Sequence, residues 1–169
     1  LVKKLLVKTI TELNKISFIC EVQIITADRV AANISKELKT KLIKETGWLG
    51  LNWAVMKGIK RSFRSGISRV LILPLDLPFV NAEDIVKFIC MKEYQRTISI
   101  APDRKLEGTN AILVKSNAMI KMRFGINSFR NHLREAEKNN LRINICATNS
   151  LLFDLDNPED YEFYKESIQ

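Results

Sequence analysis

The hydrophobic positions of this chain follow two different spacings. From residue 51 an apolar residue recurs at every fourth position, which predicts one buried face of a helix: Leu51, Val55, Ile59 and Phe63. Residues 68–76 read SRVLILPLD and are almost continuously apolar. A run of this kind is typical of a strand that is covered on both faces in a parallel sheet. The chain therefore combines helices with buried strands.

The same two spacings assign most of the remaining chain. Helices are predicted at 1–16 and 29–38, after Asn81, after residue 127 and from Pro158. Further strands are predicted for the segments EVQIITAD, TKLIKET, RTISIAPD, NAILVK, RINICA and LLFDLD. Because strands alternate with helices, we expect an α/β fold in three layers, with a mostly parallel sheet between helices. In such folds ligands bind beyond the carboxyl ends of the strands.

Length and composition limit the class of protein. A chain of 169 residues suits one domain, 1–169. No apolar run approaches the roughly 20 residues that span a bilayer, and no secretory signal is visible, so we expect no membrane partner. The three cysteines are scattered through apolar segments, which favours reduced thiols in a cytoplasmic protein. With His132 as the single histidine, a His-rich zinc site is excluded.

The net charge of +8 is consistent with two kinds of partner, nucleic acid or small phosphorylated substrates. The lysines and arginines are spread along the chain, mostly on predicted solvent faces of helices. No aromatic residues are interleaved with them and no RNP-type motif is present. We therefore expect solvated helix faces and no nucleic-acid partner.

Aspartates stand where several predicted strands end. Asp76 closes the most apolar strand, Asp103 closes RTISIAPD, and Asp154 and Asp156 lie two residues apart in FDLDNPED. In an extended chain this last pair points to the same side. Carboxylates from separate strands make a hard oxygen site that suits Mg²⁺. The alternative is that Asp154 and Asp156 are turn and capping residues before Pro158. For Asp76 that alternative is weaker, because a buried unpaired carboxylate costs several kcal/mol.

Three loops offer groups that suit phosphates. In FGINSF, Gly125 permits close backbone approach, and Ser128 lies where a helix exposes free N–H groups. The alternative is that these residues form an ordinary helix N-cap without a ligand. In EGTNAILVK, Thr109 offers a side-chain hydrogen bond at a strand start, although a simple turn needs no ligand. In GWLGLNWAV, Gly50 and Asn52 stand at a helix entrance where backbone amides can meet a nucleotide. The glycines there match neither a Walker A loop nor a dinucleotide fingerprint.

Taken together, these segments resemble one family. GLNWAV, VLILPLDLPFV, APDRKLEGTNAILVK, FGINSFRNHLREA and FDLDNPEDY come in the same order as in the 2-phospho-L-lactate guanylyltransferases. That family belongs to the molybdenum-cofactor-type nucleotidyltransferases, which have a Rossmann-like α/β fold. The resemblance runs from about Leu1 to about Tyr164, and GTNA followed by FG-x-x-SF is its most specific part.

The resemblance implies an activity and a set of site residues. Members join GTP to 2-phospho-L-lactate, phosphoenolpyruvate or 3-phosphoglycerate, release pyrophosphate, and supply the biosynthesis of coenzyme F(420). The motif positions imply three groups: Thr109, Gly125 and Ser128 for the phosphorylated acid, Asp76, Asp154 and Asp156 for Mg²⁺ and catalysis, and Gly50 and Asn52 for the nucleotide.

The resemblance also implies a departure at the N-terminus. Members begin with a central strand and a basic loop that holds the triphosphate, and both would precede residue 1. We therefore expect residues 1–169 to be an N-terminally incomplete nucleotidyltransferase-like domain. A non-catalytic or decayed nucleotide-binding module is the alternative. The sequence leaves open the phosphorylated acid, the base specificity and the oligomeric state, for which a homodimer is one option.

Overall fold

A computed structural model describes residues 1–38, 40–45, 50–92 and 94–167. Its helices are α1 Val2–Asn14, α2 Arg29–Glu37, α3 Gly50–Arg64, α4 Ala82–Ile89, α5 Ser128–Lys138, α6 Asn149–Leu152 and α7 Pro158–Ser167. Its strands are β1 Gln23–Thr26, β2 Lys41–Lys44, β3 Arg69–Ile72, β4 Thr97–Pro102, β5 Thr109–Lys115 and β6 Arg142–Ile145.

The strands form two sheets in the described part of the chain. Strands β1 and β2 pair in parallel, and the larger sheet has the order β3-β5-β4-β6. Strand β5 runs antiparallel to both β3 and β4, whereas β6 is parallel to β4. The α/β class with a mixed sheet is confirmed. Of these four strand pairs, two are parallel and two are antiparallel. Both antiparallel pairs involve β5, which reverses the chain direction directly after β4.

Helices cover both faces of the larger sheet, as a three-layer fold requires. Along β5 the side chains of Ile112 and Val114 pack into the core beneath α3 and α5. Their neighbours Ala111 and Leu113 pack into the core beneath α4 and α6. This alternation follows from the two-residue period of a strand. Burying each large aliphatic side chain stabilises the fold by about 1.5–3 kcal/mol.

A third cluster joins α1 and α2 to the smaller sheet, with Leu6, Ile10, Ile24 and Ile34 at its centre. Helix α3 packs against both β1 and β3. Among the described residues, however, β1 pairs only with β2, and β3 pairs only with β5. The expectation of a preceding central strand concerns chain outside residues 1–169 and stays a prediction.

Local signals predicted most element boundaries correctly. The side chain of Asn81 accepts a hydrogen bond from Asp84 N (2.9 Å) and caps α4, and Pro158 opens α7. The strand predicted for LLFDLD is wrong, because residues 149–152 form α6 and residues 153–156 are irregular. A short apolar run does not distinguish a strand from a buried helical turn. None of the helices described here combines the length and apolar character needed to cross a bilayer.

Candidate active site

Three carboxylates converge at one end of the larger sheet. Asp103, Asp154 and Asp156 each place one oxygen within 4.8 Å of the oxygens of the other two. Asp103 follows the last residue of β4, and its Oδ1 accepts a hydrogen bond from Glu107 N at 2.8 Å. Sequence reasoning recognised Asp103 as a strand-end carboxylate but did not include it in the metal set.

Asp76 lies next to this cluster. The prediction that Asp76 closes the strand is wrong, because β3 ends at Ile72 and Asp76 lies in the loop that follows. The backbone oxygen of Asp76 accepts a hydrogen bond from Leu155 N at 2.9 Å, which holds the segment of Asp154 and Asp156 beside this loop. Its Oδ1 is buried and has no hydrogen-bond partner among the described residues. Burial raises the pKa of Asp76, and the negative charge of Asp156 raises it further. The structure therefore brings all three predicted metal ligands to one place.

The electrostatics of the cluster favour a cation. Burial, followed by the charge of Asp156, raises the pKa of Asp154 to about 6, and Asp103 and Asp76 add smaller contributions. Several carboxylates at this spacing repel one another unless a positive charge lies between them. Together with the orphaned oxygen of Asp76, this all-oxygen donor set fits a divalent cation such as Mg²⁺.

A buried hydroxyl pair forms the second part of the site. Thr109 is the first residue of β5 and Ser128 is the first residue of α5. Ser128 Oγ donates to Thr109 Oγ1 at 3.2 Å, and His132 Nδ1 lies 3.0 Å from the same oxygen. Sequence reasoning missed His132 as a site residue. Its position one helical turn after Ser128 was the available signal, because residues four apart share a helix face.

The β4–β5 hairpin connects the carboxylates to the hydroxyls. Pro102 at the end of β4 is opposite Thr109 in the ladder, and Asp103 N donates to the carbonyl oxygen of Gly108 at 3.2 Å. Phe129 N donates to the carbonyl oxygen of Glu107 at 2.9 Å, which joins the start of α5 to the same turn. Acidic and hydroxyl groups therefore occupy one end of the sheet.

Gly108 is required by the position of Asp103. A Cβ atom on Gly108 would lie 2.9 Å from Asp103 Oδ2, closer than real Cβ contacts. The other oxygen of this carboxylate is held by Glu107 N. A side chain at position 108 would therefore force the Asp103 carboxylate, or the turn itself, to shift.

Two residues of the loop before α5 have positive φ angles. Gly125 has φ 117° and Asn127 has φ 55°, both in the left-handed region. Asn127 makes no side-chain cap, and Ser128 N donates to the carbonyl oxygen of Gly125 at 3.1 Å. The loop thus ends beside the hydroxyl pair, and the contact of Gly125 with a phosphorylated acid stays a prediction.

The two residues predicted for the nucleotide differ in their surroundings. Gly50 begins α3 with φ 69°, and apart from its chain neighbours no atom of the described residues lies within 4 Å of the position that a Cβ would take. The side-chain amide of Asn52 is already paired with the backbone of Phe124. Gly47, the other glycine of GWLGLNWAV that sequence analysis places at this helix entrance, lies outside the described residues. The nucleotide roles of Gly50 and Asn52 stay predictions.

Two solved structures share the fold of this chain. A 4-diphosphocytidyl-2C-methyl-D-erythritol synthase matches with a TM-score of 0.71 at 10% identity, over 98% of this chain and 90% of that one. A cytidylyltransferase from Leptospira borgpetersenii matches with a TM-score of 0.67 at 11% identity, over 97% and 75% of the two chains. The fold is that of the nucleotidyltransferases.

Sequence comparison then defines the family. The family model described as "Guanylyl transferase CofC like" matches residues 1–163. A 2-phospho-L-lactate guanylyltransferase of Methanocaldococcus sp. is 36% identical over 163 residues, 94% of this chain and 67% of that protein. A phosphoenolpyruvate guanylyltransferase of Rubrobacter xylanophilus is 30% identical over 139 residues, 82% of this chain and 67% of that protein. The chain belongs to the CofC-like guanylyl transferase family, and the family inferred from the sequence motifs is confirmed.

Proposed function

We propose that this protein transfers the guanylyl group of GTP to a small phosphorylated three-carbon acid and releases pyrophosphate. Family membership supports the reaction type. One observation supports the site: four carboxylates and the Thr109–Ser128 hydroxyl pair meet at the end of the β4–β5 hairpin. Carboxylates can hold the cation of a nucleotide, and hydroxyls with a helix N-terminus suit the oxygens of a phosphate.

The acid substrate is 2-phospho-L-lactate or phosphoenolpyruvate, with 3-phosphoglycerate as a third candidate. Relatives are named for the first two acids. Each candidate carries a phosphate and a carboxylate on a three-carbon skeleton, so the same hydroxyl pair serves all three. The product would enter the biosynthesis of coenzyme F(420).

The chemistry requires orientation more than proton transfer. An oxygen of the acid's phosphate attacks the α-phosphorus of GTP, a new P–O bond forms, and the bond from that phosphorus to the bridging oxygen of the β-phosphate breaks. The electron pair of that bond leaves with pyrophosphate. The attacking phosphate is already ionised at neutral pH, so the site needs no general base. The chain's part is to align two polyanions, for which rates respond steeply to geometry.

The acidic cluster would hold Mg²⁺ through Asp76, Asp103, Asp154 and Asp156. A bound Mg²⁺ supplies charge neutralisation on the phosphates. In this proposal the acid is bound by Thr109, Ser128 and the backbone near Gly125. The nucleotide is bound at the start of α3, around Gly50 and Asn52.

Pyrophosphate release from the full-length protein tests the proposal. We expect release to require GTP, one of the three acids and Mg²⁺, and to stop when EDTA is added. Asp156→Asn should abolish release, whereas Glu83→Gln, an exposed carboxylate on α4, should not change it. The proposal is wrong if none of the three acids supports release.

A further inference from the structure

His132 is the only histidine of the chain, and it is fully buried behind the hydroxyl pair. Its Nε2 lies 2.9 Å from the backbone N of Arg123, and its ring packs edge-on against Phe124 with centroids 4.9 Å apart. A backbone N–H can only donate, so Nε2 must carry the lone pair. A neutral imidazole with an unprotonated Nε2 carries its hydrogen on Nδ1.

Burial keeps this imidazole neutral. It lowers the pKa of His132 to about 4, although the nearby charge of Glu135 opposes the shift. A protonated ring would also turn an N–H toward the N–H of Arg123 and lose that hydrogen bond. One tautomer is therefore selected by the contacts of the ring.

The tautomer determines the direction of the hydrogen bonds at Thr109. His132 Nδ1–H donates to Thr109 Oγ1 at 3.0 Å, and Ser128 Oγ donates to the same oxygen at 3.2 Å. A hydroxyl oxygen has two lone pairs, and both are then used. Among the hydrogen bonds of the described residues, none uses the hydroxyl hydrogen of Thr109.

We infer that His132 is a positioning residue that makes Thr109 a hydrogen-bond donor to an anionic oxygen of the phosphorylated acid. The inference rests on the proposed function, because it needs an anion at Thr109. An anion can only accept hydrogen bonds, so a hydroxyl beside it must donate. Without the Nδ1–H donor, the Thr109 hydroxyl can turn to Ser128 and present a lone pair to the anion.

The tautomer is measurable in the full-length protein by NMR. With ¹⁵N-labelled histidine, the signals that are lost in His132→Gln identify the two ring nitrogens of His132, which is the one histidine of residues 1–169. We expect a protonated Nδ1 and an unprotonated Nε2 at pH 7.5, with the Nδ1 proton shifting when phosphoenolpyruvate is added. A protonated Nε2 overturns the inference.

Two substitutions separate positioning from packing. Asparagine places an amide N–H near the position of Nδ1, whereas glutamine reaches the position of Nε2 and can only replace the bond to Arg123. We expect His132→Gln to raise KM for the acid about 10-fold or more, with KM for GTP little changed, because a hydrogen bond to a charged group is lost. His132→Asn should raise it less. If the residue only fills space, the larger glutamine is the better substitute, and that rank order overturns the inference.

A double-mutant cycle completes the test. Thr109→Val alone should raise KM for the acid about as much as His132→Gln, and adding His132→Gln to Thr109→Val should have little further effect. Additive effects overturn the inference. If wild-type protein releases no pyrophosphate with any of the three acids, the proposed function fails. The NMR measurement without acid still decides whether the hydrogen bonds of His132 run as inferred.

Discussion

The side-chain amide of Asn52 pairs with both backbone groups of Phe124, 72 positions along the chain. Asn52 Nδ2 donates to the carbonyl oxygen of Phe124 at 3.0 Å, and Phe124 N donates to Asn52 Oδ1 at 2.7 Å. The amide thereby fastens the loop before α5 to the first turn of α3. Phe124 also packs against His132, which in turn contacts Thr109. The two hydrogen bonds of Asn52 therefore support the position of the hydroxyl pair.

Replacing Asn52 by alanine should loosen that loop. The part-buried N–H of Phe124 loses its acceptor, so we expect the free energy of unfolding to fall by about 1–3 kcal/mol. Urea unfolding measures this fall, and hydrogen exchange of the Phe124 amide measures the local opening. Asn131→Ala is the matched control, since its amide makes one exposed bond to the carbonyl oxygen of Ile126 in the same loop. An unchanged exchange rate at Phe124 would contradict this role of the Asn52–Phe124 hydrogen bonds.

Removing one charge from the acidic cluster should stabilise the metal-free protein and abolish its response to Mg²⁺. Asp156 is exposed, and its charge raises the pKa of Asp154. In Asp156→Asn that repulsion is gone, so we expect a higher Tm in EDTA and a smaller rise of Tm on adding MgCl₂. Differential scanning calorimetry with and without MgCl₂ measures both. A wild-type Tm that does not respond to Mg²⁺ would count against a metal site there.

Gly108→Ala should damage the cluster without unfolding the protein. The new Cβ would lie 2.9 Å from Asp103 Oδ2, so the carboxylate, whose Oδ1 accepts a hydrogen bond from Glu107 N, must shift. We expect a loss of stability of about 1 kcal/mol and a large increase in the Mg²⁺ concentration that gives half-maximal turnover. Asp103→Asn in the same assay shows the effect expected for a lost ligand. The explanation fails if Gly108→Ala leaves the Mg²⁺ requirement unchanged.

Acid should destabilise the fold through His132. Its pKa is about 4 in the folded chain and about 6.5 when unfolded, so between these values the unfolded state binds more protons. The contribution is complete above pH 6.5 and is lost as the pH falls toward 4, by up to about 3 kcal/mol. Urea unfolding at several pH values should show a shallower slope in His132→Gln than in wild type. Equal slopes would contradict a buried neutral histidine.

Much of the fold was predictable from local patterns. The fourfold spacing predicts α3 correctly, although Leu51 is exposed, and Asn81 and Pro158 begin helices as predicted. The apolar run 68–76 contains β3, but the prediction of a strand covered on both faces is wrong. In the described sheet β3 spans only Arg69–Ile72, lies at the edge and is partly exposed. The segment LLFDLD was mispredicted because α6 is one short turn, and its apolar residues suit either element.

The site was predictable in its residue types and only partly in its arrangement. The motif order predicted that Asp76, Asp154 and Asp156 belong to one site, although Asp76 lies four residues after β3 and Asp154 and Asp156 lie in an irregular segment. The membership of Asp103 in the cluster depends on the turn of the β4–β5 hairpin, which brings it to Asp154. No local pattern contains that distance.

The sequence by itself determined the alternation of elements, the family, and the carboxylates and hydroxyls available for chemistry. Only the tertiary structure decided that Asn52 is paired with Phe124 and that His132 lies between Arg123 and Thr109. The reason is physical: periodicity reports which side of an element is buried. Hydrogen-bond partners far apart along the chain are selected by how those elements pack.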